Sequence, residues 1–131
     1  SIIPQEPVVF SGTVRTNLDP FNEFGGDAVL WQAIRDCELQ DQVTRCGGLD
    51  GKIDGTGASW SLGLTQLMCL ARAALKKVPV LCLDEATAAM DPNTEAHVLE
   101  IIERLFSERT TLTVAHRLDN VIRSDQVCLG L

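Results

Sequence analysis

The sequence has little of what would mark several common classes. No apolar run approaches the roughly 20 residues that cross a bilayer as a helix. The N-terminus has neither a basic region nor the apolar core of a secretory leader. Positive charge is scarce: 11 Lys and Arg stand against 18 Asp and Glu, a net charge of −7. That balance argues against sequence-independent binding to nucleic acid, so none is expected as a partner. Nothing is low-complexity, and the 45% hydrophobic content argues against disorder. The five cysteines, Cys37, Cys46, Cys69, Cys82 and Cys128, lack metal-ligand spacing. Four sit in apolar or helix-like patterns and read as reduced thiols used as small hydrophobes, as in a cytosolic compartment. The length of 131 residues suits one domain with a real core. "SIIPQEP" and "QVCLGL" both read as strands interrupted at the ends of the chain, so part of a larger domain is expected.

What is present alternates. Ile2 and Ile3 predict a short strand, and Val8 to Phe10 a second apolar run after a Pro-Gln-Glu-Pro turn. Turns are expected over 11–26, with one helical turn at Thr13 to Asn17. Asp27 caps a helix bearing Leu30, Ala33, Ile34 and Cys37, and a shorter helix follows from Leu39 to Arg45. The glycine-rich "CGGLDGKIDGTGASW" reads as loop. Ser61 then caps a helix running to about Lys77, with Lys76 and Lys77 complementing its dipole. Pro79 leads into a strand from Val80 to Leu83. Asp91-Pro92 opens a helix with Val98, Leu99, Ile102, Leu105 and Phe106 on one face. "TTLTVAH" predicts a strand, "RLDNVIRSD" a short helix and "QVCLGL" a last strand. Strand, helix, strand, helix, strand is the order of a parallel sheet with right-handed crossovers. The fold class is therefore α/β, with a helical insert between about residues 11 and 77.

In an open parallel sheet, ligands sit beyond the carboxyl ends of the strands. Asp84 and Glu85 lie there, and neighbours on an extended segment point different ways. One suits a metal and the other a substrate or water. Taken alone, a capping Asp84 beside a solvated Glu85 explains the pair equally well. His116 and Gln5 also follow strands expected to end on the same rim, where an imidazole can bond a phosphate oxygen and an amide can approach a metal without adding charge. Ser61 and Gly63 stand at the mouth of a long helix, whose free N–H groups and dipole favour anions. Gly63 would let the backbone approach a phosphate closely. His97 reads as an ordinary helix-surface residue.

Four stretches in this order, "PQEPVVFSGTVRTNL", "WSLGLTQLMCLARA", "VPVLCLDEATAAMD" and "TVAHRLDNVIRSDQV", resemble the nucleotide-binding domain of an ABC (ATP-binding cassette) transporter. "TVRTNLDPFNEF" and "LWQAIRDCEL" further resemble the second such domain of the multidrug-resistance-associated (C) subfamily. There the second domain keeps a catalytic Glu where the first commonly has Asp, so Glu85 favours the second. The resemblance implies a partial RecA-like sheet of the P-loop NTPase type, with the helical subdomain inserted between Q-loop and signature motif. The Q-loop strand region would span 1–10, the helical subdomain with the signature 11–77, and the Walker B, D-loop and H-loop part 78–131. It implies Mg²⁺ and ATP as cofactors. Gln5 would be the Q-loop glutamine, reaching Mg²⁺ and the attacking water. Asp84 would hold Mg²⁺, Glu85 would be the general base, His116 the switch histidine, and Asp91 part of the D-loop. Ser61 and Gly63 would be the signature that closes over ATP on the opposite domain. Implied partners are that opposite domain, the transmembrane domain and the phosphate-loop (Walker A) half of the same domain. The implied place is the cytosolic face of a membrane, within an integral membrane exporter.

Two departures matter. The signature reads Trp60-Ser61-Leu62-Gly63-Leu64, with Leu64 where the family usually has Gln. A Gln there can return a hydrogen bond to the cap, so its loss should loosen the helix mouth by ~1 kcal/mol. This keeps open a regulatory or degenerate domain that binds nucleotide and dimerises with little hydrolysis. A soluble ATPase of DNA repair is disfavoured because no heptads separate Gln5 from Ser61. The second departure is the phosphate loop, whose only lookalike, "CGGLDGKI", has Cys46 and Ile53 at the wrong places and follows no expected strand. The 131-residue chain alone is expected to bind ATP negligibly and to be inactive.

Overall fold

The computed structural model describes residues 1–55, 59–116 and 124–128. Three strands form a parallel sheet in the order β1-β4-β5: β1 (Ile2–Ile3), β4 (Val80–Asp84) and β5 (Thr110–Val114). Its register pairs Ile3 with Leu83 and Asp84 with Val114. Alternation along the strands puts Ile3, Leu81 and Leu83 on the buried face. Ile2, Val80, Leu112 and Val114 share the other face and are exposed among the described residues. The chain is α/β, as its pattern predicts.

Two fifteen-residue helices build the core beside this sheet: α4 (Leu62–Lys76) and α5 (Pro92–Phe106). Met68 and Leu70 of α4, and Val98 and Ile101 of α5, are essentially inaccessible. Such burial contributes about 1.5–3 kcal/mol per large side chain. Ser61 caps α4 by accepting from Leu64 N at 3.3 Å. Asp91 caps α5 by accepting from the N–H groups of Asn93 and Thr94, both at 3.1 Å, with Pro92 in the first turn. These are the starts that Ser, Asp and Pro dictate in the sequence.

The insert holds α1 (Val14–Leu18), α2 (Asp27–Asp36) and α3 (Gln40–Arg45). Thr13 and Thr16 form a reciprocal capping box on α1. Asp27 is the first residue of α2 and not its cap, which is Gly26. Its carboxylate is taken by Arg15, which also bonds Asp50 at 3.0 Å. The stretch expected to be loop contains a 3-10 turn, Gly48–Asp50, and β3 (Lys52–Ile53), which pairs antiparallel with β2 (Gly12–Thr13). A two-residue ladder leaves no periodicity to read; the signal was the buried Ile53 among polar neighbours.

Val8 to Phe10 is not a strand. Its backbone is satisfied by side chains instead. Asn17 accepts from Phe10 N and donates to Phe10 O, both at 2.8 Å, and Arg72 of α4 donates to Val8 O at 2.7 Å. The helix expected over 117–125 lies mostly outside the described residues. Of the strand expected over 126–131, the described residues 126–128 are exposed and in no strand.

Candidate active site at the strand tips

The parallel register brings three strand ends to one rim. Asp84 is the last residue of β4, and its neighbour in β5 is Val114, two residues before His116. The β1 strand ends at Ile3, two residues before Gln5. Glu85 is the meeting point. Gln5 Nε2 donates to Glu85 Oε2 at 3.3 Å, and His116 Nε2 lies 2.9 Å from Glu85 Oε1. Each carboxylate oxygen thus has its own partner, from a different strand tip.

The backbone aims this carboxylate. Glu85 takes φ 45°, in the left-handed region that non-glycine residues rarely occupy. Its N–H is tied to Val114 O at 2.9 Å, which fixes the turn to the neighbouring strand. The Glu85 side chain is 21% exposed whereas that of His116 is 82% exposed. A sheltered acid is therefore flanked by a histidine with room to turn. Beside it a shallow, largely apolar hollow is lined by Leu83, Ala86, Leu99, Ile102 and Val114. Asp84 faces solvent.

Ser61, Gly63 and Asp91 form a second group, where α4 and α5 begin side by side. Gly63 is buried, and a Cβ placed on it would come within 2.7 Å of Thr94 Cγ2. Its missing side chain lets two helix mouths touch. The Thr94 side chain, together with the backbone N–H groups of Thr94 and Asn93, holds the Asp91 carboxyl below the usual range. The structure brings Gln5 and His116 each into contact with Glu85; Ser61, Gly63 and Asp91 belong to the helix mouths.

Several polar residues at these places escaped the sequence reading. Thr87, two residues past Glu85, donates to Glu95 Oε1 at 2.9 Å, and both are buried. Gln66, one turn into α4, is fully buried and neither amide atom has a partner among the described residues. Asn17 and Arg72 carry the bonds described above. Polar residues inside otherwise apolar runs, such as Arg72 in "LMCLARAAL", were the available signal.

Comparison with known proteins fits this geometry. The ABC transporter family profile matches residues 1–88. The chain is 46% identical over 127 residues to ATP-binding cassette sub-family C member 10 of Mus musculus, covering 97% of this chain and 8% of that protein. It is 46% identical over 128 residues to ATP-binding cassette sub-family C member 4 of Homo sapiens, covering 97% and 10%. It is 46% identical over 130 residues to ABC transporter C family member 7 of Arabidopsis thaliana, covering 98% and 9%. The chain thus spans about a tenth or less of the length of these relatives. With its parallel sheet, its acids at the strand tip and this likeness along nearly its whole length, the chain belongs to the ABC transporter family, among relatives of sub-family C.

Proposed function

We propose that this chain is the C-terminal part of the ATP-hydrolysing domain of an ABC exporter, and of the second such domain in its transporter. The observation that carries the reading is Glu85, sheltered and gripped at both oxygens by Gln5 and His116. A carboxylate so oriented takes the proton of a water attacking a terminal phosphate. Gln5 and His116 fix the plane of the carboxylate. Because His116 is largely exposed, its imidazole can turn to a phosphate oxygen.

The residues present fit part of a Mg²⁺·ATP site. A hard divalent ion prefers oxygen donors, and Asp84 and Gln5 supply a carboxylate and an amide oxygen. Among the described residues no group of three His, Cys, Asp or Glu could hold a metal without other ligands. Phosphate oxygens and water must complete the shell. When bound, the ion neutralises charge on the phosphoryl oxygens. Ser61, Gly63 and Asp91, at the paired helix mouths, serve the opposite domain's nucleotide. The phosphate-loop half of the domain fits as a further layer on the exposed sheet face, since parallel sheets are covered on both sides. No described helix is long and apolar enough to cross a membrane. We place the domain on the cytosolic face, coupled to transmembrane segments elsewhere in the protein.

The test is Glu85→Gln in the complete transporter. Hydrolysis should fall by about 10²–10⁴-fold, with nucleotide still bound. Retained turnover would remove Glu85 from the mechanism. Leu64 supports a second reading, a degenerate domain that binds and dimerises. Ser61 Oγ accepts from Leu64 N, but a leucine side chain cannot answer the bond as the second half of a capping box. Undetectable hydrolysis at this site in the unaltered transporter would favour it.

A further inference from the structure

Between β1 and β2 the chain has no regular structure, yet Gln5 within it must be held to 3.3 Å from Glu85. Pro4 and Pro7 lack N–H groups, so this segment cannot brace itself through a ladder. Its bracing comes from a helix. Arg72 of α4 spreads its fork over three oxygen acceptors: Nη1 to Val8 O at 2.7 Å, Nε to Asn17 O at 2.7 Å, and Nη2 to Asn17 Oδ1 at 2.9 Å, with Nη1 also 3.6 Å from Cys69 Sγ. Asn17 in turn holds Phe10 at both backbone atoms and Thr13 O at 2.9 Å. The guanidinium also lies over the Phe10 ring, 5.5 Å from its centroid. Burial draws the Arg72 pKa down, so the site pulls a charged group out of water to make these bonds.

We propose that Arg72, with Asn17, is a positioning residue for Gln5, locking the Val8–Phe10 backbone to the helix that Ser61 begins. This rests on the site reading above and extends it. The helix carrying the phosphate-facing Ser61 and the segment carrying the Glu85-facing Gln5 become one mechanical piece. Displacement of the Ser61 helix mouth is then transmitted to the amide beside the catalytic acid. The fork is essential, because a lysine ammonium is a point donor that cannot span three acceptors set apart from one another.

The experiment is a double-mutant cycle on ATP hydrolysis by the complete transporter, using Arg72→Lys, Gln5→Ala and their combination. Arg72→Lys should lower kcat about tenfold or more, as a misplaced catalytic contact does, with KM for ATP changed less than about twofold. In the Gln5→Ala background it should cost nothing further. Equal losses in both backgrounds, or no loss in the wild-type background, would overturn the inference while leaving the site reading intact. Full activity of Gln5→Ala would overturn the site reading and the inference with it. Should Arg72→Lys fail to fold, Asn17→Ser, which removes the Phe10 bonds and keeps Arg72, must show the same non-additivity.

Discussion

Adding one methyl group at Gly63 tests whether the two helix mouths fit as described. The Cβ of Gly63→Ala would lie 2.7 Å from Thr94 Cγ2, well inside ordinary carbon contact. Thr94 has little freedom to yield, because it is β-branched and its side chain also bonds Asp91. Overpacking of this kind costs about 1–3 kcal/mol. Against it stands the helix preference for Ala over Gly, at most about 1 kcal/mol. The single variant should therefore be less stable by up to about 2 kcal/mol in chemical unfolding of the domain. Thr94→Ser deletes the offending methyl and keeps the hydroxyl. Combined with Gly63→Ala it should recover the clash, giving a coupling of about 1–3 kcal/mol between the two sites. If Gly63→Ala alone stabilises the domain, the packing argument is wrong. The double variant also separates two uses of this glycine. If the Gly63 backbone approaches a phosphate on the opposite domain, hydrolysis by the transporter stays impaired even when folding is restored. If hydrolysis returns with folding, Gly63 serves packing alone.

Three further perturbations follow from the same geometry. Leu64→Gln supplies the missing half of the capping box at Ser61 and should add ~1 kcal/mol to unfolding and raise ATPase activity; an unchanged or lower rate would count against the loosened helix mouth. Gln66→Leu removes a buried amide whose two polar atoms have no partner among the described residues, and should stabilise the domain by about 1–2 kcal/mol in denaturant unfolding, whereas a loss would reveal a partner for that amide. Burial, then the charge of Asp36, pushes the Cys37 thiol up to about 12, so at pH 8 it should resist alkylation while the exposed Cys128 reacts. Because the folded value is raised, the stability this thiol contributes is complete below its ordinary 9.0 and is lost as pH rises toward 12; a mass-spectrometric labelling series over pH checks both points.

The sequence was most readable where one residue's chemistry decides local geometry. Ser61 and Asp91-Pro92 start their helices where caps should, and Leu81 and Leu83 alternate as a half-buried strand must. The rim holding Gln5, Glu85 and His116 was also legible, since strands of one parallel sheet finish on one side. Long-range exchanges of backbone for side chain were hidden. Val8 to Phe10 has the composition of a strand, but its partner is the Asn17 amide, seven residues on, and an arginine 64 positions away. Asp27 had the right chemistry for a cap, yet Arg15 competed for it and Gly26, with φ 107°, made the turn. Gly63 was read by its ligand-facing possibilities, while its neighbour across the helix pair was invisible without coordinates.

The left-handed backbone at Glu85 sets a direction for this domain's drift over generations. Residues other than Gly, Asn and Asp pay about 1 kcal/mol or more to stay there. If Glu85 is the general base proposed above, replacing it with one of these would relax the backbone while silencing the site. Only selection for turnover would keep the acid in place, and a copy released from that demand would become sturdier as it fell quiet.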